Sequence, residues 1–207
     1  MAITYPLALP TITGIKNISF TARNVTARSI SPFTMKEQVV AHAGQRWEAM
    51  VGLPAMNRDQ AETWIAFLMA MKGGVGTFLM GDPLGQAPRG AGGGTPVVSG
   101  AAQTGDELVI TGAPLSTTAW LKAGDYIQLG SGATTTIHKT LTDTDTNGAG
   151  AATLDIWPAM RTAPTDAATV VISGTVGLFR INSPEMSWDV SELRVYGITF
   201  SAVEAIT

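Results

Sequence analysis

Two phrases decide how this sequence folds: LKAGDYIQLG at residues 121–130 and LDIWPAMR at residues 154–161, with a polar Gly/Thr-rich turn region between them. Short apolar runs bounded by turn residues read as β-strands. From Pro96 to Val176 the same pattern repeats, giving expected strands at 108–111, 126–129, 134–141, 152–157 and 169–172. Five short strands in this span fit a small closed or half-open β-barrel. The unit sits in mid-chain. A Gly-rich lead-in, RGAGGGTP at 89–96, precedes it, and further strands at 178–181 and 193–203 close the protein.

Toward the N-terminus the alternation continues at 15–22 and 33–51. QVVAHAGQRWEAMV (38–51) reads as a hairpin turning at Ala43 and Gly44, with Trp47, Ala49 and Val51 on one face of the return strand and Arg46, Glu48 and Met50 on the other. The period then changes. Asn57 is a good N-cap with Gln60 in the capping-box position. Ala61, Trp64, Ile65, Leu68 and Met69 follow at helical spacing, and Gly73-Gly74 after Lys72 ends the helix. Its apolar stripe is expected to lie across a sheet that includes 75–80. In the closing strand, RVYGITFSAV (194–203), Tyr196, Ile198, Phe200 and Ala202 form an apolar face that needs a sheet partner.

Composition restricts function. Hydrophobic residues make up 45% of the 207, charged ones only 14%, and the net charge is −3. Charged residues usually supply about a quarter of a soluble protein, so part of this surface is expected to be covered by neighbours. A net negative chain gives no support for holding nucleic acid through its phosphates. Six basic residues face three acidic ones up to residue 60, and seven face thirteen afterwards. There is no cysteine, so disulfides and thiolate metal sites are excluded. The opening residues lack a basic region and proline breaks their apolar run, so no signal peptide is expected.

The candidate chemistry is thin. DTDTNG (143–148) matches the start of a calcium loop, which sets oxygens at alternate positions. The twelfth position, however, is Leu154, with Asp155 one place late. A polar hairpin loop turning at Asn147-Gly148 explains the same residues. His42 and His138 lie far apart in sequence, without a second ligand at metal spacing. Ser131 between Gly130 and Gly132 lacks the nucleophile-elbow pattern. Gly73-Gly74-Val75-Gly76 follows a helix instead of opening one, so it is not a phosphate cradle. Asp82-Pro83 reads as a strand stop, and Asp106 and Glu107 as neighbours pointing to opposite faces. Of the five tryptophans, Trp47, Trp64 and Trp188 suit core or interface roles. Trp120 and Trp157 are the two to consider for a ligand. No catalytic, cofactor-binding or metal-binding residue is assigned, and the chain is not expected to be an enzyme.

Three passages carry a family resemblance: the strand–helix–strand unit from Arg46-Trp47-Glu48 through WIAFL (64–68) to GTFLMGDP (76–83), the pair LKAGDYIQLG and LDIWPAMR, and the closing FSAVE (200–204). With these, the chain resembles the distal tail proteins of long-tailed bacteriophages and phage-like particles. The resemblance implies a mainly β protein, a tail-tube-like β-sandwich or split barrel with one flanking α-helix and a small inserted β-barrel. It implies a ring-forming hub domain at 1–94 and 178–207 and an inserted peripheral domain at 95–177. The implied role is a homo-hexameric ring at the virion tail tip, made in the host cytoplasm, joining the tail tube protein to the baseplate hub and passing DNA only as transient cargo. Low surface charge and free strand edges suit such a subunit. The competing expectation is a carbohydrate-binding module with its site on the insert, at Trp120 and Trp157, with calcium at Asp143 and Asp145.

Overall fold

The computed structural model describes residues 3–192 and 194–206. Their strands, in chain order, are β1 (Leu7–Ala8), β2 (Asn17–Ile30), β3 (Glu37–Gly52), β4 (Phe78–Met80), β5 (Val97–Val98), β6 (Gly105–Thr111) and β7 (Tyr126–Leu129). β8 (Thr136–Thr140), β9 (Ala152–Met160), β10 (Val170–Val171), β11 (Gly177–Ile181), β12 (Trp188–Val190) and β13 (Tyr196–Glu204) follow, and α1 (Arg58–Ala70) is the single α-helix among the described residues. Among the described residues the protein is mainly β, with one α-helix, two sheets and a nearly closed barrel.

The first sheet has the order β1-β4-β11-β13-β3-β2, with β12 paired to the start of β13. The helix covers one face because its sequence leaves no other choice. Asn57 Oδ1 accepts the Gln60 N–H at 3.0 Å while Gln60 Oε1 accepts the Asn57 N–H, the reciprocal cap expected. Ala61, Trp64, Ile65 and Leu68 are buried against Phe78, Phe200 and Ile198. Trp64 meets Phe200 at 6.3 Å and Phe67 meets Phe78 at 5.6 Å between ring centroids. Met69 departs from the expected stripe and is exposed, with Phe67 and Met71 buried in its stead. At about 100° per residue, Met69 points about 140° away from Trp64, while Phe67 and Met71 lie within about 60° of it. The helix ends in a 3₁₀ turn, Lys72–Gly74, where Gly73 and Gly74 take φ of +64° and +93°. A Cβ on Gly74 would stand 2.7 Å from the Ile181 carbonyl oxygen, so glycine is required where the helix turns under β11.

The second sheet runs β10-β7-β8-β9-β6-β5. Its two ends meet: Val97 bridges Thr169, Val98 N–H donates to Ala168 O at 2.8 Å, and Val170 N–H donates to Pro96 O at 2.9 Å. Closure removes the free edges that an open small sheet would expose. Leu108, Ile110, Trp120, Leu121, Ile127, Leu154 and Ile156 fill the interior. The five expected strands are all present, and β5 is the sixth that sequence reading missed. The lead-in is tied down by Asp125, whose carboxylate accepts backbone N–H groups from Arg89, Gly90 and Lys122 at 2.8–3.1 Å. Burial pushes this carboxyl's pKa up, but the three amides and the Arg89 guanidinium outweigh it, leaving the group below its ordinary value.

The two sheets share an aromatic joint. Trp47 of β3 stands edge-on to Trp157 of β9 at 4.6 Å, and its indole N–H donates to Ile137 O at 3.1 Å. Beside it Arg161 forms a two-pronged pair with Glu204, both contacts 2.8 Å, and Glu204 also accepts the Trp47 backbone N–H.

Candidate functional site at the exposed arm

β2 and β3 pair in register from Asn17↔Gly52 to Ile30↔Glu37. β13 covers β3 only along residues 48–52. Beyond that point the two strands continue as a free ribbon, and residues 21–30 and 37–44 are exposed on both faces. Ten residues of strand reach about 30 Å. The expected hairpin turn at Ala43 and Gly44 is therefore corrected: the chain reverses at 31–36, where Ser31 N–H donates to Lys36 O at 2.9 Å and Met35 N–H to Ser31 O. Ala43-Gly44 belongs to a bulge, where the register jumps between Asn24/Gln45 and Thr26/Ala41. A Cβ on Gly44 would stand 2.7 Å from Val25 Cγ2. Close approach across the bulge, not a turn, demands that glycine.

The ribbon is chemically unlike an ordinary surface hairpin. Val25, Ile30, Phe33, Met35, Val39 and Val40 are all exposed, Phe33 at 95%. Small and β-branched residues (Thr26, Ala27, Ser29, Ala41) fill most other positions on the two faces. Two-stranded hairpins alone are marginal in water, and apolar groups gathered on one projection mark an interaction surface. The base is fixed firmly. Trp157 Nε1–H donates to Asn24 Oδ1 at 2.8 Å, Ala159 N–H to Gln45 Oε1 at 2.7 Å, and Arg161 Nη2–H to Gln45 O. On the opposite face Arg23 and Arg46 both pair with Glu48. The Arg46 hydrogen bond holds the Glu48 carboxyl below its usual range against desolvation, with both guanidinium charges and an Arg23 hydrogen bond adding to the lowering.

The residues singled out from sequence do not converge on a reaction centre. Asp143 and Asp145 each accept a backbone N–H from the facing loop, Ala123 at 2.8 Å and Ala119 at 2.7 Å, and Asn147 Oδ1 accepts from Ala149 and Ala151. Their oxygens brace a hairpin loop, and among the described residues no group of three His, Asp or Glu side chains is placed to hold a metal. Trp120 is fully buried in the barrel core, its N–H on Gly93 O at 3.2 Å, so no ring face is available for sugar stacking. Trp157 is half-buried and engaged at the arm base. Trp188 is 41% exposed. Ser131 caps a short 3₁₀ turn, Asp82 accepts the Leu84 N–H after β4, and Asp106 and Glu107 are exposed on β6. Leu193, the expected start of the closing strand, lies outside the described residues. His42 is exposed in the bulge of the arm.

His138 is the exception in burial. At 2% exposed, its Nδ1–H donates to Pro158 O at 2.6 Å and its Nε2 accepts from the Thr136 hydroxyl at 2.9 Å. Burial pushes its pKa below the ordinary 6.5, against the Pro158 hydrogen bond and the Glu204 charge, with Arg161 adding to the depression. The unfolded chain then binds a proton more readily than the folded one, so this contribution is present above pH 6.5 and lost as pH falls through the lowered folded pKa. Thermal unfolding should show Tm falling as pH drops below about 6.5, and His138→Gln should flatten that slope. An unchanged slope would show that His138 does not carry it.

The arm is the candidate site whose turn sequence reading placed wrongly, at Ala43-Gly44 instead of 31–36. The available signal was the run of small and β-branched residues from 21 to 30, which shows no apolar face of its own. Comparison with family models and with curated proteins finds no match for this chain.

Proposed function

We propose that this chain is a structural, non-enzymatic protein that assembles into a ring, the β2–β3 arm of each copy engaging the next, and that the ring belongs to a phage tail tip. In this reading six copies continue the tail tube, join it to the baseplate hub and leave a lumen for DNA. The observation that carries it is the arm itself: a ribbon exposed on both faces, with free strand edges and apolar side chains, rooted by hydrogen bonds in a rigid joint. A head-to-tail contact of this kind closes into a ring when the rotation between copies permits. Residues 95–177 are read as an inserted peripheral domain, supported by a barrel built wholly from 97–171 with its own core. The phage setting rests on the sequence resemblance. The carbohydrate-binding alternative draws no support from Trp120, which is buried, or from Trp157, which is engaged by Asn24.

The test is electron microscopy and mass measurement of concentrated protein, alone and with tube and hub partners. Rings are expected from the full chain. Because Asn24 and Gln45 are register partners, residues 25–44 can be replaced by a two-residue Asn-Gly turn. That variant should keep the circular dichroism of the parent, less the arm, and lose at least tenfold in association. Rings formed equally well by the shortened chain, or a full chain that stays monomeric with its partners present, would refute the proposal.

A further inference from the structure

The largest cavity among the described residues, about 440 Å³, is the mouth of the barrel. Directly opposed residues on paired strands share a face of the sheet, and β7 pairs with β8 as Ile127↔His138 and Leu129↔Thr136. Ile127, Leu129 and the β9 residue Met160 belong to the barrel core, so Thr136 and His138 point inward with them. Leu129, Thr136, His138 and Met160 meet in the cavity, with Ala205 and Ile206 at its rim. The space exists because the core thins along the strands. Leu108, Ile110, Leu154 and Ile156 fill the barrel further in, whereas the chain around the mouth carries the small residues Gly130, Ala133, Ala163 and Ala168. Barrel mouths are among the places where small ligands bind, in cavities of about 300–1,000 Å³.

The lining decides which kind of molecule fits. Its inner polar groups are already used within the chain. His138 Nδ1–H donates to Pro158 O at 2.6 Å, and its Nε2 accepts from the Thr136 hydroxyl at 2.9 Å. The Thr134 hydroxyl donates to Ser131 O at 2.9 Å. The unpaired Thr135 hydroxyl is sealed behind the wall, out of reach of a guest. Charge is balanced as well. Burial keeps His138 uncharged at neutral pH, and Arg161 is matched by Glu204 through two contacts of 2.8 Å. An ion in the mouth would therefore be desolvated without a free counter-charge. A sugar would lose the water on its hydroxyls and regain few hydrogen bonds. What a guest meets is mainly apolar surface, and cavities of that kind take up apolar molecules.

We infer that the barrel mouth is a binding site for a small, uncharged, mainly apolar molecule, held against Leu129 and Met160, with the charge-balanced wall discriminating against ions. No residue of the arm lines this site, so it is independent of ring formation.

N-phenylnaphthylamine, an uncharged dye that brightens in apolar surroundings, tests the site on the full chain at neutral pH. Fluorescence should rise to saturation at one dye per chain. Of the nine methionines, Met160 should show the largest shift of its methyl NMR signal. Anilinonaphthalene sulfonate, which carries similar rings with a negative charge, should bind about tenfold more weakly or worse. Ala133→Trp and Ala168→Phe narrow the mouth, and each should weaken binding of the uncharged dye about tenfold or more. Ala133 is exposed and Ala168 half-buried, so the first variant keeps its fold by circular dichroism even where the second does not. The variant with 25–44 replaced by a turn should bind as the full chain does. A signal that never saturates, that survives Ala133→Trp unchanged, or that disappears with the arm would overturn the site and leave the ring reading standing. Equal affinity for the two dyes would overturn the assignment of an uncharged guest.

Discussion

Arg161→Ala is expected to lower the unfolding free energy by about 3–5 kcal/mol, measured by urea denaturation at neutral pH. The guanidinium meets Glu204 with two contacts of 2.8 Å, and the Glu204 side chain is only 2% exposed. The same carboxylate accepts the Trp47 backbone N–H at 3.0 Å. Truncating the arginine leaves a carboxylate sealed between the sheets with one amide for company, and it also frees the Gln45 carbonyl at the arm root. The cost is that of an uncompensated buried charge, far above the ~1 kcal/mol or less of an exposed pair. The exposed pair Arg58–Glu62 supplies the internal control: Arg58→Ala removes a salt bridge whose side chains are 76% and 52% exposed. Losses of similar size for the two variants would show that Arg161–Glu204 is screened by solvent and does not clamp the sheets.

Trp47→Ala should cost about 3–5 kcal/mol as well, with a second signature. Trp47 is one of the residues through which the two cores touch, with Tyr126 and Ile137 of the barrel packed into the same cluster. Its ring meets Trp157 at 4.6 Å, Phe20 at 6.0 Å and Tyr126 at 6.3 Å, and its N–H bonds to Ile137 O across the joint. Removing it leaves a cavity and an unpaired carbonyl at the place where barrel and seven-stranded sheet support each other. Unfolding followed by two probes, helix ellipticity for the first sheet and amide hydrogen exchange at Leu108, Ile127 and Ile156 for the barrel, should separate into two transitions where the parent shows one. Trp47→Phe, which keeps most of the ring contact and loses the N–H, should fall between. Coincident transitions in Trp47→Ala would mean that the coupling runs elsewhere.

Several elements were legible from local pattern because their causes are local. The capping box at Asn57 and Gln60, the helix stop at Gly73-Gly74 and the strand alternations around Trp47 and Phe200 each depend on neighbours a few residues away. The barrel strands announced themselves through turn residues at short intervals. The misreadings share a different cause. Ala43-Gly44 has the composition of a turn, yet pairing with β2 draws it into a bulge, because Val25, nineteen residues before Gly44, presses on it from the facing strand. Met69 fits a helical stripe in sequence, but where the sheet lies relative to Trp64 decides which side of that stripe is covered. β1, β5 and β12, two or three residues each, carry too little pattern to be seen without their partners.

The sequence by itself determined that this is a mainly β protein and that its helix runs from a capped Asn57 to a glycine stop. Tertiary structure alone decided which residues face water. Strand pattern specifies alternation but not whether a second face will find a partner, and that depends on β13 ending its pairing with β3 at residue 48. Past that point a hairpin that resembles any other becomes a free arm. Likewise Asp143 and Asp145, spaced as a calcium loop would be, are turned into loop braces by amides on a distant segment. Trp120 is removed from any ligand by the closing of the barrel around it. Contacts between residues remote in sequence settled these outcomes, and no local spacing encodes them.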